Sequence, residues 1–361
     1  MSAILTSILD RLEKLVAIDT RNPPRAMDGA HPLVTALRDE LPGFDVNVHD
    51  MGEGCVQILA VRGAPKTLIN VHMDTVPHAP GWAHSPFAMQ RAADRVVGLG
   101  ACDIKGAAAC AIEAAQASDA PAAFLFTTDE ENGAGLCVSD FAARDHGFAR
   151  IIVSEPTGAK AVFAHRGIAS FAVKFAGTSM HGADARCVDE SAISRAADWL
   201  HAAANLARAS EREGGVLPGI RFNPGHIEGG IKPNICAPDC ALRFGVRPGP
   251  GHAIDDVARE LQALAPADHW HSFKMSYTLP ALSPVGEAGE AARGYARVLG
   301  LPTGDPVDFW TEAALFAAQG TPVFVFGPGH IDQAHTVDEW VSHDQLMAAF
   351  AVYEKVFAPN D

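Results

Sequence analysis

The sequence predicts an α/β fold: a mostly parallel sheet flanked by helices, forming a discontinuous main domain interrupted by an inserted α+β domain. Three observations predict it. From residue 1 to about 165, apolar strand-like runs alternate with alanine-rich helical stretches, the pattern of a sheet covered by helices. Around Arg166 the texture switches to two-residue alternation, beginning with GIASFAVKFAG. After Pro284 the helical and buried-strand patterns resume. The expected division is therefore 1–165, 166–283 and 284–361, and 361 residues suit two domains better than one.

Each element has its own warrant. Ile4, Leu5, Ile8, Leu12, Leu15 and Val16 recur at helical spacing, which predicts a packed N-terminal helix rather than a secretory signal. TLINVH, AAFLFTT and IIVS are continuous apolar runs, as expected of strands buried on both faces. KGAAACAIEAAQA and VSDFAARDHG read as helices between them. The insert then reads strand (GIASFAVKFAG), helix (SAISRAADWLHAAANLARA), strand (GIRFNPGHIEGG), strand (CALRFGVRP), helix (AIDDVARELQALA), strand (HSFKMSYTL). EAGEAARGYARVLG returns to helix and TPVFVFG to a buried strand.

Composition excludes several classes of partner. A net charge of −15 disfavours a broad grip on nucleic-acid phosphates. No apolar run reaches the roughly eighteen residues a membrane helix needs. Seven scattered cysteines without a C-x-x-C pair fit reduced thiols in a cytoplasmic protein. Cys236 and Cys240 lack further ligand partners, and Cys102 reads as a packing residue rather than a nucleophile.

The chemistry lies at the ends of the apolar runs. NVHMDTVP supplies His72 and Asp74, GLGACDIKG supplies Asp103, and FLFTTDEENG supplies Glu130 and Glu131. IIVSEPTG supplies Glu155, and FVFGPGHIDQAH supplies His335. In an open α/β sheet, sites form at the carboxyl ends of strands, so these distant residues are expected to converge. Two imidazoles with several carboxylates form a ligand set suited to zinc-like ions. Two divalent ions carry +4, and Asp103, Glu131 and Glu155 would return −3, a sensible balance for a buried site. Of the adjacent pair Glu130 and Glu131, one can bind metal while the other faces the attacking water as a base. Asp74, two residues from His72, is suited to orient that imidazole through its second nitrogen. These residues predict a dinuclear metal hydrolase.

Taken in order, H-x-D, G-x-G-x-x-D-x-K-G, D-E-E, S-E-P-T and G-P-G-x-x-x-Q-A-H resemble the co-catalytic zinc peptidase/deacylase family, which includes acetylornithine deacetylase, succinyl-diaminopimelate desuccinylase and aminoacylases. The match runs from His72 to His335. The resemblance implies that His72 and Glu155 bind one ion, Glu131 and His335 the other, and that Asp103 bridges. It makes Glu130 the base and Asp74 the partner of a ligand. The implied cofactor is a pair of divalent ions, zinc or cobalt, and the inserted domain becomes a lid and a homodimer surface.

On the substrate side, GTSMHG resembles the family's oxyanion-stabilising histidine segment and nominates His181. GGIKPNICAP nominates Lys232 and Asn234. Arg247 sits where relatives carry D-x-R, but Gly245 here replaces the aspartate. Glu312, in TEA, either binds a substrate amine or braces the site. The implied reaction is removal of an acetyl group from an N-acetylated amino acid of arginine biosynthesis. N-acetylcitrulline stands ahead of N-acetylornithine, with desuccinylase, dipeptidase and metal-dependent scaffold readings as alternatives. A hinge is expected near Arg166 and Pro284.

Overall fold

The computed structural model describes residues 2–24, 27–212, 214–283 and 285–358. The chain divides into two compact units. The first comprises Met1–Phe163, Pro284–Asp305 and Thr311–Asp361, and the second Ala164–Ser283 and Pro306–Trp310.

A six-stranded mixed sheet forms the heart of the first unit. Its spatial order is Asp45–Asp50, Val56–Arg62, Ala122–Thr127, Thr67–His72, Arg150–Val153, Val323–Val325. The last four strands are mutually parallel. All four fall on the predicted runs, and Ala122–Thr127 and Thr67–His72 are buried at every position. The first two strands form an antiparallel extension that the sequence reading did not anticipate. Asp45–Asp50 is too exposed to carry a buried-strand signature.

Helices Ala3–Val16 and His343–Val356 both pack against Lys105–Gln116. The last is almost wholly buried, which its alanine content permits on every face. The amphipathic N-terminal helix forms as expected, with Ser2 capping the Leu5 N–H. The predicted VSDFAARDHG helix is shorter and shifted: the observed helix is Leu136–Ala142.

The second unit holds a four-stranded antiparallel sheet in the order Trp270–Leu279, Ile168–Ala176, Asp239–Pro248, Ile220–Gly229. Helices Ala192–Ser210 and Ile254–Ala263 supply Trp199, Ala203, Val257 and Leu261 to its core, which also includes Phe171, Phe175 and Phe244. Arg166 is tied into this unit: Asp308 accepts from its Nε at 2.5 Å, and the carbonyls of Gly219, Pro218 and Arg247 accept from its guanidinium. The same ties, with Trp310 donating to the Pro280 carbonyl, draw Pro306–Trp310 into the second unit. Pro284, the other expected hinge point, lies outside the described residues.

Candidate metal centre

Parallel pairing brings the expected residues together at one edge of the first sheet. His72 ends its strand beside Thr127, and Thr127 is followed by Asp129, Glu130 and Glu131. Glu155 lies two residues beyond Val153 in the next strand. His335 arrives on the long loop after Val323–Val325, with its backbone at φ 57°. Asp103 comes by another route than expected. Its loop precedes helix Lys105–Gln116 and follows Arg95–Val97, a strand of a separate three-stranded sheet.

Asp103 sits between two imidazoles. His72 Nε2 is 3.1 Å from its Oδ1, and His335 Nε2 is 3.3 Å from its Oδ2. Glu155 Oε1 lies 3.8 Å from His72 Nε2, and Glu131 Oε1 lies 3.0 Å from His335 Nε2. Ligand atoms of His72, Asp103 and Glu131 all fall within 4.8 Å of one another. Tetrahedral ligands bonded at roughly 2.0–2.1 Å stand about 3.3 Å apart, so this donor set fits a cation on each side of the aspartate.

Asp74 is fully buried and serves both neighbours. His72 Nδ1 lies 3.1 Å from its backbone carbonyl and 3.5 Å from its carboxylate. The second carboxylate oxygen accepts the Glu131 N–H at 2.9 Å. One side chain thus joins the His72 strand to the loop bearing Glu131.

Burial dominates the electrostatics. It pushes Glu130 and Glu155 well above the usual carboxylate range and raises Glu131, with neighbouring carboxylates adding to each effect. Asp103, although buried, is held low by His335 and His72. Asp103 and Glu131 in turn push His335 up to about 11. A cluster of this kind favours positive charge, which is the electrostatic requirement of a divalent site.

Glu312 is also fully buried. Thr127 Oγ1 donates to it at 3.0 Å, beside the paired end of the His72 strand. His181, Lys232, Asn234 and Arg247 all belong to the second unit and are exposed. His181 bridges to Ile235, and Gly182 donates to the Asn234 carbonyl, so these two expected substrate segments are joined. Arg247 and Gly245 share the outer face of one strand.

Sequence reasoning missed several supports. Asp129 accepts the N–H groups of Leu136 and Cys137 at the start of a helix. Asn22 donates to the Thr128 carbonyl. Lys105, part of the quoted glycine-rich motif but given no role, donates to the Leu15 and Ile18 carbonyls. Glu339 accepts from the loop that carries Asp103. Cys102 packs as expected: burial raises its thiol pKa, and Sγ points to the His330 carbonyl.

A mostly parallel α/β sheet at whose strand ends imidazoles and carboxylates gather about Asp103 defines a metal-dependent hydrolase. Residues 68–358 match the model of peptidase family M20/M25/M40, and the chain belongs to that family. It is 46% identical over 356 residues to the N-acetyl-L-citrulline deacetylase of Xanthomonas campestris pv. campestris, covering 96% of each chain. It is 32% identical to the acetylornithine deacetylase of Edwardsiella ictaluri, covering 79% of this chain and 78% of that protein. In fold it is similar to an aminopeptidase PepT from Bacillus cereus, with a TM-score of 0.74, 19% identity and 98% of each chain covered. A dinuclear metal-binding M20 peptidase from Bacillus subtilis gives 0.68 at 16% identity, covering 98% of this chain and 97% of that one.

Proposed function

We propose that this chain hydrolyses the acetyl amide of N-acetyl-L-citrulline, releasing citrulline and acetate in a cytoplasmic step of arginine biosynthesis. The observation that carries the substrate is the 46% identity to an N-acetyl-L-citrulline deacetylase across nearly the whole of both chains. N-acetylornithine is the competing substrate, because acetylornithine deacetylases are also among the relatives.

Two divalent ions, zinc or cobalt, would polarise the scissile carbonyl and lower the pKa of the attacking water. His72 and Glu155 are the proposed ligands of one, Glu131 and His335 of the other, and Asp103 of both. Glu130, half-buried and raised well above the usual carboxylate range, is suited to take the water's proton and return it to the leaving nitrogen. Asp74 holds the His72 ring and the Glu131 backbone in register. His181 is the proposed donor to the developing oxyanion. Arg247 supplies a planar fork suited to the α-carboxylate, with Lys232 and Asn234 as further polar contacts.

A homodimer formed through the second unit is part of the same proposal. Its support is the edge strand Ile220–Gly229, exposed along most of its length, together with exposed Val188, Ile193, Ile227 and Ile231.

The test compares initial rates of the metal-loaded protein on N-acetylcitrulline, N-acetylornithine and N-succinyl-diaminopimelate. The highest kcat/KM is expected on the first. Comparable values on the first two would remove the preference for citrulline, and activity confined to the third would overturn deacetylation.

A further inference from the structure

We infer that Glu339 is a positioning residue for the shared aspartate: its carboxylate grips the backbone of the Asp103 loop and so sets where the two aspartate oxygens point. This inference rests on the proposed two-ion reading of the site.

The Asp103 loop is glycine-rich, so its N–H groups need acceptors from elsewhere. Glu339, 1% exposed, supplies three bonds. Its Oε1 accepts from Cys102 N at 2.9 Å and from Asp103 N at 3.0 Å, while its Oε2 accepts from Gly100 N at 3.1 Å. The Glu339 carbonyl also accepts from Gly98 N at 2.9 Å. Directly afterwards, Trp340–Ser342 pairs with Arg95–Val97, the strand that leads into the same loop. The far end of the loop is held independently, by Lys105 donating to two carbonyls at 3.0 Å.

Glu339 lies four residues beyond His335. One short stretch therefore provides a proposed ligand and the grip on the aspartate that this ligand faces. The side chain has the acceptors and reach for this task. A glutamine offers one oxygen, and its amide N–H groups would oppose a backbone N–H. An aspartate is one methylene shorter and cannot span the same three donors without the loop moving.

The test titrates metal-free wild type, E339Q and E339D with Co²⁺, following heat and the visible cobalt spectrum. Thermal melts of the metal-free proteins run in parallel, so each affinity refers to folded protein. Wild type is expected to bind two ions. E339Q is expected to bind them about 10–100-fold more weakly, the usual effect of losing a group that orients a ligand. Its cobalt spectrum should change as well, and E339D should fall between the two. Reduced kcat with an unchanged KM in cobalt-saturated E339Q would agree. If wild type binds two ions and both variants match its affinity and spectrum while melting lower, the positioning role is overturned and Glu339 is only structural. If wild type itself takes up no cobalt, the two-ion reading fails first, whatever the variants do.

Discussion

Asp103 is the residue on which the site turns, because each of its oxygens faces a different imidazole. Glu130 is the group proposed to handle protons. Replacing it with Ala should lower kcat by about 10²–10⁴-fold while leaving metal content unchanged. Metal analysis beside turnover checks this, and a variant of near-normal activity would contradict it. Glu312 gives a prediction with a definite sign. Burial, with the Asp129 charge adding to it, pushes its pKa from an ordinary 4.5 up to about 8. Below pH 4.5 both folded and unfolded forms hold the proton. As pH rises, the unfolded chain ionises first, so metal-free protein loses this stability progressively up to about pH 8. Glu312→Gln should remove that loss. Urea melts at pH 5 and 8.5 should show the variant gaining on wild type only at the higher pH, and equal differences at both would refute the assignment. The sequence named both residues from their motifs. It left the Glu312 role open because nothing local reveals that Thr127, 185 positions away, would be its partner.

The elements explain why distant motifs meet. Continuous apolar runs make strands that must be buried on both faces, and parallel packing puts their carboxyl ends on one side. That much was legible: Thr67–His72 and Ala122–Thr127 form where TLINVH and AAFLFTT stand. The outer strands were not anticipated: Asp45–Asp50 is polar and mostly exposed, and Val56–Arg62, although apolar and largely buried, was not assigned as a strand. The Asp103 loop was misplaced because its strand belongs to a small sheet completed by Trp340–Ser342, whose pairing no local pattern announces. Loop packing also yields a test. Gly329 has φ +83°, and a Cβ there would lie 2.4 Å from Cys102 Sγ and 3.5 Å from Pro156 Cβ. Gly329→Ala should therefore cost about 1–3 kcal/mol through overpacking. It should also weaken metal uptake, since Cys102 adjoins Asp103 and Pro156 adjoins Glu155. Denaturant melts and cobalt titration check this together, and wild-type behaviour in both would contradict it.

At the scale of the whole molecule, the proposed roles divide between the two units. All the proposed metal ligands lie in the first unit, and His181, Lys232, Asn234 and Arg247, proposed for the substrate, lie in the second. The alternation around Arg166 announced a second unit, but the return of Pro306–Trp310 to it was unreadable. That return depends on Arg166, Asp308 and Trp310 meeting in three dimensions. If the second unit completes the chemistry, His181→Ala should reduce kcat by about 10²–10³-fold with metal affinity intact. Equal losses of metal and activity would point to misfolding instead. The most direct measurement of the central claim is anomalous diffraction from crystals of the cobalt-loaded protein. The account predicts two peaks, one ligated by His72 and Glu155, the other by Glu131 and His335, with Asp103 bonded to both. A single peak, or Asp103 out of bonding distance of either ion, would contradict it.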